Sequence, residues 1–189
     1  MQALKEWAIV CAALEEGRQT ILLRKGGILE YRKGFEVKHE KFLLFPTFEH
    51  QARESIKPEY ADRLEQIQRA KPQDTTAIVS SFAEVKYVNE ISDRALLARL
   101  GRYHIWSDQY VNTRMDYNPS KPMSVMILRV FRLAKPLHID VRPEWAGCKS
   151  WIPLDSIESE ALLPQRAEPA LDEPQFSEAQ QRIMGVLQN

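Results

Sequence analysis

Cysteine is scarce: Cys11 and Cys148 are the only two in 189 residues, and no C-x-x-C spacing occurs. That excludes a disulfide framework and a zinc site of familiar spacing. Cys11 sits inside an apolar run and reads as a buried, inert thiol. Long hydrophobic runs are missing as well, since none reaches the roughly 18 residues that a spanning helix needs. The opening MQALKEWAIVCAALEEG has no basic leader and carries Lys5 and Glu6 ahead of its apolar letters. It does not read as a signal peptide, and a cytoplasmic protein without a membrane partner is expected. Net charge is absent too: 26 Lys and Arg stand against 26 Asp and Glu. No global field draws the chain toward nucleic acid or an anionic surface. Internal repeats are not found.

What is present suits one soluble globular domain: 44% of the residues are hydrophobic and 28% charged. The charge is locally uneven. Residues 18–41 hold seven Lys and Arg against three acids, residues 99–142 eight against three, and the tail from Asp155 two against seven. A basic middle with an acidic tail fits an anion-facing surface, and it equally fits solvated faces.

WAIVCAAL (7–14) and TILLRK (20–25) read as two strands joined by a polar turn at Gly17. GFEVKHEKFLLF (34–45) becomes continuously apolar toward its end, as a strand entering the core does, and Pro46 is expected to stop it. Thr47 then reads as the cap of a short helix with Glu49 and His50 in its first turn. Helices are predicted at about 53–70, 93–102 and 107–116. Strands are expected at 75–88, at 123–141 with an interruption at Pro136, and at SWIPL (150–154). The fold class is therefore α+β: residues 1–154 form a mixed, largely antiparallel sheet flanked by helices. An acidic, proline-containing linker (155–176) and a C-terminal helix (177–189) capped by Ser177 follow.

Five stretches carry candidate chemistry. LLRKGG (22–27) offers Arg24, Lys25 and two glycines to a phosphate, although it matches no phosphate-loop motif and a strand end with a glycine turn explains it equally well. FLLFPTFEHQ (42–51) ends on Glu49 and His50, an acid/base or metal-binding pair, or else a carboxylate on a helix dipole beside an exposed histidine. His39 and Glu40 lie at the far end of the same strand, about 20 Å away, too far to share a metal with them. RYHIWSDQYVNTR (102–114) sets His104, Trp106 and Tyr110 beside arginines, suited to stacking a base and neutralising a phosphate, or to core anchoring. In LRVFRL (128–133), Arg129 shares a face with Ile127 and Phe131, so it needs a buried partner or a pocket; Arg132 faces the other side. AGCKSWIPL (146–154) contains Cys148, whose use as a nucleophile would require a base that the sequence does not bring near. The E-V-K tripeptides at 36–38 and 84–86 lack the preceding acidic strand that a metal-dependent nuclease needs.

Taken together, ALKEWAIV, LLRKGGI, HEKFLLFPTFEHQ, GRYHIW and LRVFRL through GCKSWIPL resemble the bacterial family known as domain of unknown function 1802, across residues 3–154. The resemblance implies which blocks belong together and no established activity. The hairpin strands and SWIPL also look like the outer strands of a Nudix-type hydrolase, but the glutamate-rich metal box is missing. The basic strands and small size resemble PUA-like modules that read structured or modified nucleic acid.

The leading expectation is a binding module for a phosphate-bearing ligand, a nucleotide or nucleic acid. Arg24, Lys25, Arg129 and Arg132 would supply charge, and Trp106 and Tyr110, near His104, would stack. The rival is a Nudix-like or metal-dependent hydrolase using Glu49 and His50, and a third reading is an interaction scaffold. No cofactor follows from any motif.

Overall fold

The computed structural model describes residues 1–26, 34–147, 149–154 and 167–188. Its centre is strand β3 (Lys41–Thr47), and both faces of that strand are covered. Phe42 and Leu44 point into a main core with Ile9, Leu22 and Met126, while Leu43 and Phe45 point into a second core with Ala3, Trp145 and Ile152. Burial on two sides explains why the run is continuously apolar instead of alternating. Pro46 does not end the strand: it faces Glu6 in a parallel ladder, which continues to Thr47 opposite Trp7.

That parallel partner is β1 (Gln2–Trp7), and the helix α1 (Ala8–Glu15) follows it without a loop. The expected strand at 7–14 is therefore a helix. A short, wholly apolar run has no period to separate the two states, and the alanines at 8, 12 and 13 favour helix. A tertiary contact also starts it, because the Ile9 N–H donates to Gln51 Oε1 at 3.0 Å.

The remaining strands are β2 (Ile21–Arg24), β4 (Thr76–Ile91), β5 (Met123–Asp140), β6 (Trp151–Pro153) and β7 (Ala167–Pro169). The sheet order is β2-β5-β4-β3-β1-β6, and every pairing except β1 with β3 is antiparallel. Strand β7 pairs with β5 beyond the stretch that β2 occupies. The interruption expected at Pro136 is present: pairing jumps from Ser81–Arg132 to Val79–Leu137, and the bulge helps the long β4–β5 ladder to curl.

The three helical regions fall where the periodicity places them. Two short turns, Arg53–Ser55 and Pro58–Tyr60, lead into α2 (Ala61–Arg69). Helix α3 (Arg94–Arg99) is capped by Asp93, whose carboxylate accepts from the Ala95 N–H at 2.8 Å. Helix α4 (Asp108–Tyr117) is capped by Ser107. Among the described residues no helix is long and apolar enough to cross a membrane.

The C-terminal segment belongs to the same domain. Helix α5 (Glu173–Leu187) begins four residues before Ser177, because Asp172 and Gln175 form a reciprocal capping box. Its Phe176 and Ile183 are buried in the main core. Of the expected linker, residues 155–166 lie outside the described residues, and 167–169 form β7.

Candidate ligand-binding cleft

The strands β1 and β3 run side by side in one direction, so their C-terminal ends bring Lys5–Trp7 and the turn after Thr47 to one wall. The curl of the sheet swings the end of β2 against that wall. Helix α4 and the loop before β6 close the other sides. The result is a cleft of about 360 Å³.

At its base Arg24 donates to Glu6 Oε2 at 2.8 Å, to Ser150 Oγ at 2.8 Å and to the Lys5 carbonyl at 3.3 Å. Its guanidinium lies over the Phe35 ring, 5.1 Å from the centroid. The pair is nearly dry, with side chains 16% and 6% exposed. Three further cations line the cleft and spend their donors on neutral groups. Lys25 donates to the Lys121 carbonyl and approaches Met115 Sδ at 3.3 Å. Arg114 donates to the Gly26 carbonyl at 2.7 Å, and Lys149 to the Glu144 carbonyl at 2.7 Å. Burial pulls the Lys25 ammonium below its ordinary value, and the neighbouring Arg94 and Arg114 act in the same direction. Lys5 also lines the cleft and donates to the carbonyls of Trp145 and Gly147.

The aromatic wall is Trp7 and Tyr110, with centroids 4.9 Å apart at 47°. Burial, followed by the charge of Glu6, raises the Tyr110 phenol above its ordinary value, so it stays protonated. Trp106 reaches the cleft but is only 2% exposed. It is mainly a core anchor, and the stacking face belongs to Trp7.

Glu49 and His50 also line the cleft, although not from a helix. Thr47 Oγ1 accepts from the Glu49 N–H at 3.4 Å, and His50 turns the chain with φ 59°. That left-handed conformation is uncommon for a residue with a Cβ. The tight closure of the turn holds it, through the Ala52 N–H to His50 carbonyl bond at 3.0 Å and the burial of Gln51. Both side chains are exposed, and among the described residues no hydrogen bond engages the His50 imidazole.

Three expected site residues lie elsewhere. His104 is buried against a separate pocket of about 120 Å³ between α3 and α4, with its ring 5.5 Å from that of Trp106. Neither of its nitrogens has a hydrogen-bond partner among the described residues. Burial, reinforced by the charge of Lys57, pulls its pKa down to about 4, so the ring is neutral. The nearby Trp106 backbone acts weakly in the opposite direction without forming a well-aligned hydrogen bond. Arg129 has no buried counter-charge among the described residues: it meets the exposed Glu173 carboxylate at 2.6 Å and lies over the buried Phe176 ring. Arg132 reaches the carbonyls of Glu15 and Pro169 at 3.4 Å, tying β7 to α1. Cys148 lies outside the described residues. Among those described, no three His, Cys, Asp or Glu side chains converge as metal ligands.

The cleft thus unites Arg24, Lys25, Tyr110, Trp106, Glu49 and His50, and separates them from His104, Arg129 and Arg132. Sequence reasoning missed Lys5, Glu6, Trp7, Lys149 and Ser150. The available signal was K-E-W, two charges and a large amphipathic ring at the mouth of an apolar run, a combination that a purely buried strand would not carry.

Among solved structures the chain is similar to an ASCH protein from Zymomonas mobilis: 15% identity, TM-score 0.47, covering 85% of this chain and 92% of that one. A single-residue variant of the same protein also matches, at 15% identity and TM-score 0.41, covering 76% of this chain and 89% of that one. No curated protein sequence matches. The family model described as domain of unknown function (DUF1802) matches residues 3–182, nearly the whole length, and the chain belongs to that family.

Proposed function

We propose that the cleft binds a phosphate-bearing ligand, a nucleotide or a segment of nucleic acid. The observation that carries this reading is the charge around the aromatic pair. Five cations (Lys5, Arg24, Lys25, Arg114 and Lys149) line the cleft, against two carboxylates, Glu6 and Glu49. Arg24 is neutralised by Glu6. Lys25, Arg114 and Lys149 donate to carbonyls or approach sulfur, and those groups leave a cation's charge uncompensated. Positive charge beside Trp7 and Tyr110 matches a ligand with phosphate at one end and a flat ring at the other.

Calorimetric titration of the full chain with nucleoside monophosphates, pyrophosphate and a short single-stranded oligonucleotide, at two salt concentrations, tests the reading. Binding that weakens with salt, and weakens further in Arg114→Ala and Lys149→Ala, is expected. Absence of binding to every one of these anions would remove it.

Hydrolysis with Glu49 and His50 is the second reading. Their place in the same cleft and the left-handed backbone at His50 favour it. The absence of a described partner to orient the imidazole weighs against it. Turnover of a bound nucleotide or oligonucleotide that His50→Ala abolishes, with binding intact, would reverse the ranking.

A further inference from the structure

Glu6 presents more than a counter-charge. Its carboxylate accepts two hydrogen bonds: Oε1 from the Trp7 N–H at 2.8 Å and Oε2 from Arg24 at 2.8 Å. A carboxylate offers about four lone-pair positions, and no other described residue donates to this one. Each oxygen therefore keeps the capacity to accept from one further donor. The group is also held in place. Arg24 is pinned from behind by Ser150 Oγ and the Lys5 carbonyl, and the Trp7 backbone fixes the other oxygen. A preorganised pair of acceptors on a cleft wall loses little freedom when a ligand binds. Beside it, the Tyr110 hydroxyl makes no hydrogen bond among the described residues and is kept protonated, a neutral group able to donate or accept.

We infer that Glu6 is the specificity-determining residue of the cleft, selecting a phosphate-bearing ligand that presents two adjacent N–H or O–H donors, one to each carboxylate oxygen. This rests on the phosphate reading above. Two parts of a nucleotide have that pattern. One is the edge of guanine, where the ring N–H and the exocyclic amine lie in parallel. The other is the 2′,3′-diol of ribose. Adenine, cytosine and uracil place a lone pair beside each donor on the same edge, and that lone pair would face a carboxylate oxygen without a hydrogen between them. A charge-assisted hydrogen bond lost at a desolvated acceptor weakens binding by roughly 10- to 100-fold.

The experiment is calorimetric titration of the full chain with guanosine, adenosine and 2′-deoxyguanosine monophosphates and with inorganic pyrophosphate. Wild type is compared with Glu6→Gln, whose fold is checked by circular dichroism. If the guanine edge is read, both guanine nucleotides bind about 10- to 100-fold more tightly than the adenosine one. If the diol is read, both ribonucleotides bind alike and the deoxynucleotide is the weak one. In either case Glu6→Gln, which turns one acceptor into a donor, removes the preference among the nucleotides. Equal binding of all three nucleotides to wild type overturns the inference while the phosphate reading stands, and that series decides even where the variant does not fold. Failure of pyrophosphate and of every nucleotide to bind overturns both.

Discussion

Arg24 and Glu6 stand on strands at the first and fifth places of the sheet, and their side chains meet at 2.8 Å. At about 4.8 Å per strand, a flat sheet would hold their backbones roughly 19 Å apart, beyond the combined reach of the two side chains. The curl therefore brings the pair together, and the pair latches the curl. Removing one partner leaves the other's charge in a nearly dry site, which costs about 3–5 kcal/mol. Arg24→Ala is expected to lower the stability obtained from urea unfolding by that amount, and Arg24→Met with Glu6→Leu to recover most of it. A single variant as stable as wild type would show that the curl is held by packing alone.

Much of the sheet was legible because its strands carry their own signal. The 123–141 run is rich in β-branched residues and bounded by turn residues, and the 34–45 run becomes continuously apolar. The strand in that second run begins only at Lys41, however, and passes through the Pro46 expected to stop it. Helix α1 was not legible: its N-terminus depends on Gln51, 42 residues away. The separation of Arg129 from Arg24 was illegible for a similar reason. Both look like cations in apolar strands, and only the curl and the docking of α5 decide which one faces a cleft and which one faces Glu173. Trp7 and Trp106 show the same limit. Burial of an aromatic is set by what packs on it, and neighbouring letters say little about that.

His104 makes stability depend on pH. Its pKa falls from an ordinary 6.5 to about 4 in the fold, so between these values the unfolded chain binds the proton and the folded one does not. Stability is then fully present above about pH 6.5 and is lost as the pH falls toward 4. At about 1.4 kcal/mol for each pH unit, the loss approaches roughly 3 kcal/mol. Urea midpoints measured from pH 7.5 to 4 should show the decline, and His104→Phe should flatten it. The variant also removes two nitrogens without partners, so it should be no less stable than wild type at pH 7. Parallel pH curves for the two proteins would disprove the assignment.

The contact between Arg129 and α5 separates into two parts of unequal weight. Glu173 is 75% exposed on its side chain, and such pairs contribute about 0–1 kcal/mol. Phe176 is 5% exposed, within the main core, and deleting a buried phenylalanine costs about 3–5 kcal/mol. Glu173→Gln should therefore leave the melting temperature nearly unchanged, whereas Phe176→Ala should lower it by many degrees. Ligand binding by folded Glu173→Gln should match wild type, since Arg129 lies outside the cleft. A large loss from Glu173→Gln would mean that the ion pair, and not the ring, docks the helix.

The two tryptophans of the cleft should respond in opposite ways to substitution. Trp106 is 2% exposed and fills the core, so Trp106→Ala should destabilise by about 3–5 kcal/mol and tell little about ligands. Trp7 is half-buried, with its ring tilted against Tyr110 at 4.9 Å. Trp7→Leu keeps apolar volume there and removes the flat surface. A stacked base contributes about 1–3 kcal/mol, so nucleotide affinity should fall roughly tenfold or more while pyrophosphate, which has no ring, binds as before. Calorimetry on the two ligands with one variant separates stacking from charge. Equal losses for both would place Trp7 in the scaffold and move the recognition of the ring to another wall of the cleft.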